Sequence, residues 1–392
     1  MDKKNLLLVG FITIICFCSC KNAANKKVKF IESQNVEITF PATIVEHYGI
    51  QNFSTHHVEY ITYVDTFDLS LNLRPLFDSL EDVIKISLKE ANLIHKVQNG
   101  ISYYIQSLDS IFILYENTNT ISLISSEGLV INTWQFSQFI NKHNDNESSY
   151  EYTLVSMVRN PLKFYNNTFF INAVRNDIIL NNEENLRKYF ETYPEIAINI
   201  NSYKINHIML PWPNNYQNSK EFFRDYWPQT CTNKKGKIIY SFAKNHTLFV
   251  YDCSTKKIEK HKTESSYFDN FNTYPVDKIG NMSYLKKYMV QESTYKGVIY
   301  DDYNKLYYRI AWHPVHEYEN EDGITVNELD DKKWSIIVIN ENFEQIDEIE
   351  FNQEIYNYYY IFPTSKGLMI QNKRKTTTET RTIGFTLFQL QH

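Results

Sequence analysis

Three separate stretches of the chain repeat one pattern, and that repetition limits the fold more than any other feature. Residues 120–134 (TISLISSEGLVINTW), 247–262 (TLFVYDCSTKKIEKHK) and 334–351 (WSIIVINENFEQIDEIEF) each read as an apolar strand, a polar turn and a strand of alternating character. Alternation at period two turns one face to a core and the other to water, so the second strand of each is half exposed. A further candidate strand precedes the first two, at 111–115 and 237–242, and extends each to a three-strand meander. More strands are expected at 297–300, 306–312, 358–362, 367–371 and 382–388, with weaker alternation at 36–40, 58–64 and 83–88.

Meanders repeated in this way pack radially and leave only short, protected sheet edges, so the expected fold is an all-β propeller. The matching strands begin near Ile121, Leu248 and Ile336, 127 and 88 residues apart, close to three and two steps of a blade of about 43 residues. Spread over the chain from residue 30 to 392, read as one domain, six blades are expected and seven are the alternative. Insertions at 181–193, 214–227 and 313–331 account for the excess length. In the first of them, residues 182–190 (NEENLRKYF) carry a capping Asn, early Glu and later Arg and Lys, which predicts a short helix.

The chain has 10 glycines in 392 residues, and the nearest two stand 17 apart. A phosphate-cradling P-loop, a dinucleotide fingerprint and a G-x-S-x-G nucleophile elbow each need glycines within about six residues of one another, and all three are excluded. Lys and Arg number 40 against 46 Asp and Glu, a formal net charge of −6, with no basic stripe to displace counterions from a nucleic acid. The 30 tyrosines and 25 phenylalanines accompany abundant Asn, as A/T-rich coding would produce, and do not by themselves mark a binding surface.

At the N-terminus, Asp2, Lys3 and Lys4 precede an apolar run of 12 residues, 6–17, followed by Cys18, Ser19 and Cys20. Twelve residues are too few to span a bilayer core as a helix, which takes roughly 20, so residues 1–19 read as a cleaved signal peptide. The small residue before Cys20 resembles a bacterial lipobox, which makes Cys20 the expected site of lipid attachment. Residues 20–29 are polar and basic and read as a tether. No acidic run follows Cys20, which favours the periplasmic face of the outer membrane. Cys231 and Cys253 then remain as two free thiols or as a disulfide closing a separation of 22 residues.

The lipobox, the blade pattern and the tyrosine-rich hairpin at 300–310 (YDDYNKLYYRI) together resemble a family of lipid-anchored Bacteroidetes proteins grouped as domain of unknown function 4221. The resemblance implies an envelope location and a propeller fold, and it brings no catalytic residues with it.

Candidate chemistry concentrates in three places. His313 and His316 stand three apart beside Trp312, but Pro314 between them disfavours the helix that would aim both rings at one ion, so no metal is expected. Asp301 and Arg309 flank a hairpin turn and could present a carboxylate and a guanidinium at a propeller face, or serve the turn itself. Trp212, Asp225 and Trp227 lie in Pro-flanked loops, where aromatic rings can stack on sugars or pack beneath the loop. With no cofactor motif and no selected pair of carboxylates, the expectation is a non-catalytic binding or scaffolding lipoprotein whose partner is a glycan or an envelope protein. A carbohydrate-active envelope enzyme is the alternative.

Overall fold

The computed structural model describes residues 28–40, 50–55, 58–65, 67–77, 82–91, 101–136, 152–156, 161–176, 178, 182–202, 204–207, 210, 212–217, 223, 227–319, 326–373 and 381–391. The first strand, β1 (Lys29–Phe40), does not join its sequence neighbour but pairs antiparallel with the last. Blade one is β2 (Gln51–Thr55), β3 (Val58–Asp65), β4 (Ser70–Pro75) and β5 (Ile84–Ser87). Blade two is β6 (Ile101–Ser107), β7 (Ser110–Tyr115), β8 (Thr120–Ile124) and β9 (Val130–Gln135). Blade three splits its innermost position between β10 (Tyr152–Val155) and β11 (Lys163–Tyr165), which pair with opposite ends of β12 (Thr168–Arg175). It continues through β13 (Glu195–Asn199) and β14 (Ile205–His207). Blade four is β15 (Gln229–Thr232), β16 (Lys237–Ser241), β17 (Thr247–Asp252) and β18 (Ile258–Lys262). Blade five is β19 (Thr294–Asp301), β20 (Leu306–Trp312), β21 (Trp334–Asn340) and β22 (Gln345–Phe351). Blade six is β23 (Tyr356–Thr364), β24 (Gly367–Asn372) and β25 (Arg381–Gln391), with β1 outermost.

The structure is therefore a six-bladed propeller. The repeats that suggest it are strands two to four of blades two and four and strands three and four of blade five. The separation of 127 residues is thus two blade steps rather than three, and that of 88 is one rather than two. The blades themselves are short; the connections between and within them lengthen the repeat. The predicted helix is α1 (Glu183–Phe190), opened by Asn182, whose side chain accepts a bond from the Asn185 N–H at 2.9 Å. A second, α2 (Asn214–Gln217), lies in the next insertion, and a third, α3 (Met282–Gln291), in the crossover from blade four to blade five.

Alternation explains the packing. The second and third strands of each blade are largely buried on both faces, whereas the innermost are part-exposed to the axis and the outer ones half exposed, as in the patterns of β2, β9 and β22. Burial between blades produces successive aromatic and aliphatic clusters, such as Phe112, Phe169 and Ile196 between blades two and three and Tyr308, Ile336 and Phe388 between five and six. Ring closure rests on Ile38, Phe40, Ile61, Phe362 and Phe385, which join blade six to blade one.

Each blade is an antiparallel meander, so its first-to-second and third-to-fourth turns lie on one face of the ring, the turn face. Second-to-third connections and blade-to-blade crossovers lie on the opposite, crossover face. Gly367 opens β24 at the turn face with φ +138°, and a Cβ there would lie 2.2 Å from the Phe388 carbonyl oxygen. Gly367→Ala is expected to lower stability by at least about 2 kcal/mol, because both the backbone conformation and a neighbouring strand must give way. An unchanged midpoint in urea unfolding would contradict this packing.

Candidate functional site

The innermost strands surround an axial channel with a cavity of ≈ 440 Å³. All six blades contribute: Gln51, Asn52 and Ser54 from blade one, Tyr104 from blade two, Lys163 from blade three, Thr230 and Thr232 from blade four, Tyr300 from blade five and residues 358–363 from blade six. The wall is thus rich in hydroxyls, amides and aromatic rings. Its pairing shifts by one residue in β6 and in β19, and by more in β23, where a bulge takes Tyr358, Tyr359 and Tyr360 out of register with β24. Bulges re-aim side chains, and here three tyrosines meet the cavity instead of alternating across the strand.

The charges in this wall are paired. Lys163 is buried and its Nζ lies 2.6 Å from Glu195 Oε1 and 3.1 Å from Thr230 Oγ1, while the Tyr240 hydroxyl donates to the other Glu195 oxygen. The pair lies within blade three and is tied to blade four through Thr230 and Tyr240, and removing either member would strand a buried charge. At the turn-face mouth, Asp302 pairs with Lys234 and with Lys305. Tyr303 reaches from blade five to blade one, donating to Glu59, which also accepts the Ser365 N–H at 2.8 Å. Burial raises the Tyr303 hydroxyl to about 12, with Glu59 adding to the effect, so it stays a protonated donor. Cys231 lines the channel, and burial pushes its thiol well up, which suppresses the nucleophilic thiolate. Among the described residues no three His, Cys, Asp or Glu side chains are grouped to hold a metal ion.

The family model described as Domain of unknown function (DUF4221) matches residues 83–350. The chain belongs to this family. A crystal structure of a DUF4221 member from Bacteroides vulgatus superposes with a TM-score of 0.68 at 17% identity, covering 94% of this chain and 99% of that one. At that identity the likeness shows the fold. Virginiamycin B lyase from Staphylococcus aureus, solved with quinupristin, aligns at a TM-score of 0.40 and 10% identity over 92% of this chain and 99% of that one. A protein of unknown function from Bacteroides caccae aligns at 0.39 and 8% over 83% and 93%. No curated protein matches the chain.

In this DUF4221 propeller most of the residues singled out from sequence are joinery rather than channel lining. Arg309 is fully buried between blades four and five. Its guanidinium donates to Ser241 Oγ at 2.9 Å, to the carbonyls of His246, Thr263 and Asn245 and to Thr263 Oγ1, and its Cζ lies 3.4 Å from the Tyr295 ring centroid. Burial lowers its pKa to about 10, still far above neutrality. Asp301 is equally buried and spends its oxygens on the N–H groups of Tyr303 and Asn304, the Asn304 amide and the Tyr308 hydroxyl. The expected ligand-facing carboxylate and guanidinium are therefore internal; the next residue, Asp302, is the one at the channel mouth.

Trp212 is buried among Tyr189, Phe190, Tyr216 and Phe242, with Trp227 half-buried beside it at 6.4 Å, so the two rings form a core beneath their loops rather than a sugar platform. Asp225 lies outside the described residues, as do Cys20 and the rest of residues 1–27. Trp312 is buried, with Lys296 and Lys332 ammonium groups 4.6 and 4.8 Å from its ring centroid. His316 is exposed at 3.9 Å from Asp269, and His313 is buried away from it. Cys231 and Cys253 are free thiols, not a disulfide. Cys231 is on β15 and Cys253 follows β17, with β16 between, so their backbones are two strand spacings apart, about 9 to 10 Å, and beyond disulfide reach. The channel residues escape sequence reading because only the blade phase reveals which strand is innermost; the Tyr358–Tyr360 run was the one local signal.

His313 stacks on Tyr267 at 4.2 Å and bonds through Nε2 to Ser335 Oγ at 2.8 Å; Ser335 in turn donates to Glu348, which also accepts from Ser265 and Ser266. Burial first, then the Lys333 and Lys332 charges, depress its pKa from 6.5 to about 4. Between these values the unfolded chain binds a proton that the folded one refuses, so stability is lost as pH falls from about 6.5 to about 4. The wild type should lose about 2 kcal/mol more than His313→Gln across that interval, read by urea unfolding at each pH. Parallel profiles would remove His313 from the account.

Proposed function

We propose that this DUF4221 protein is a non-catalytic, lipid-anchored binding protein of the bacterial cell envelope whose axial channel holds a small, neutral, polar ligand. The observation that carries this reading is the channel wall: hydroxyls, amides and aromatic rings converge from six blades, while the charges among them are already neutralised by protein partners. Such a lining favours molecules that both donate and accept hydrogen bonds and present an apolar face, as mono- and disaccharides do. A cavity of ≈ 440 Å³ falls within the range of small-molecule sites, about 300 to 1,000 Å³. The anchor rests on the apolar run at 6–17 and on Ser19 before Cys20, and the periplasmic face of the outer membrane on the lack of an acidic run after that cysteine.

The test is a thermal-shift screen of the membrane-extracted protein against neutral sugars and nucleosides, followed by the same screen on Thr232→Trp. Thr232 lines the channel on an exposed stretch of β15, so the larger ring fills space without displacing core. A ligand at about 100 times its dissociation constant adds about 2.7 kcal/mol to the wild type, and the substitution should abolish the shift. Silence across the panel, or a shift that survives in Thr232→Trp, would defeat the channel reading.

A further inference from the structure

The first described residues sit at a defined point on the ring. Val28 is buried and its N–H donates to Asp347 Oδ2 at 3.0 Å, and Lys29 pairs with Gln391 at the turn-face end of blade six. Only seven residues, 21–27, separate that point from Cys20, a reach of at most about 25 Å when fully extended. A lipid on Cys20 would hold the turn face close to the bilayer.

The same face carries exposed lysines on the far side of the ring. Lys204 lies in the third-to-fourth turn of blade three, Lys234 and Lys235 in the first turn of blade four and Lys256 and Lys257 in its last. Lys234 and Lys235 share the carboxylates of Asp302 and Glu341, whereas Lys204, Lys256 and Lys257 make no ion pair among the described residues. Lys204 and Lys256 flank a cleft of ≈ 480 Å³ between blades three and four, lined also by Asn199, Ser202 and Tyr251. The crossover face carries both signs: its insertions expose Glu183, Glu184, Glu317, Glu328, Asp330 and Asp331 beside Arg187, Lys188, Lys287 and Lys333. The turn face also exposes acids, Asp109 and Glu127 on blade two and Glu344 on blade five, so its cationic part is the local patch on blades three and four, which an anionic surface would attract.

We infer that the turn face docks on an anionic phospholipid bilayer, held at blade six by the tether and across the ring by the lysines of blades three and four. This rests on the lipid-anchor reading for the first attachment point and on charge and geometry for the second. The channel mouth bridged by Tyr303 then faces the membrane, and a soluble ligand enters from the crossover face.

The experiment is amine acetylation of the full-length protein on vesicles of phosphatidylglycerol and phosphatidylcholine, compared with pure phosphatidylcholine, read by mass spectrometry. On the anionic vesicles Lys204, Lys256 and Lys257 should label about threefold more slowly than Lys188 and Lys333 on the crossover face, and about 0.5 M salt should erase the difference. Equal labelling of both faces overturns the inference. The Cys20 peptide in the same digest separates the two claims. Selective protection with an unmodified Cys20 keeps the docking surface and removes the anchor, whereas a diacylated Cys20 with uniform labelling keeps the anchor and removes the docking surface.

Discussion

Ring closure is the constraint on which the rest of the structure depends. A radial array of six sheets has no separate core; each blade buries its faces only because the next blade is present, and the first and last must meet. Here the meeting is made by backbone hydrogen bonds as well as side chains. Strand β1 enters blade six as its outermost strand, registered from Lys29 opposite Gln391 to Phe40 opposite Arg381, so the last blade contains both ends of the described chain. The ladder shifts only once, between Glu32 and Gln34. Closure in this form converts six marginal meanders into one cooperative unit and covers the β25 edge, which would otherwise present unpaired backbone groups.

Polar joinery between blades supplements the apolar faces. Arg309 spans blades four and five, bonded to carbonyls and hydroxyls with no carboxylate partner among the described residues. Lys332 donates to the carbonyls of Val290 and Glu292, and Lys244 to Ser293 and Thr294, fastening the crossover that carries α3. Lys163 and Glu195, paired within blade three, bond to Thr230 and Tyr240 of blade four. Buried cations satisfied by main-chain oxygens orient what they join, because each donor direction must be met. Of these cations only Lys163 lines the channel, where its pairing with Glu195 neutralises its charge.

Much of this architecture was legible in the sequence, for physical reasons that also mark where legibility ended. Strands with one wet face, such as β9, β18 and β22, alternate visibly, and the helix α1 announces itself through Asn182 and its charge order. Strand β20, buried throughout, was still readable as an apolar run bounded by turn residues. The short inner strands β2, β11 and β15 carry too few residues to show a period, and each of them lines the channel. The blade count came out right although the spacing argument did not, because insertions such as 263–293 lengthen the repeat without changing its number. Candidate residues failed in a consistent direction: Asp301, Arg309, Trp212 and His313 are chemically conspicuous because burial between blades demands strong hydrogen bonding and large rings.

A closed ring requires that the ladder between β1 and β25 hold as firmly as those inside the blades, and not fray. Native-state hydrogen exchange on the amides of β25 that point toward β1 measures this directly. The closure account predicts that they exchange only through global unfolding, with the same slow rate as the amides of β24 and β20. Fast exchange along β25, with β20 and β24 still protected, would show that blade six is open at its edge and would contradict the account.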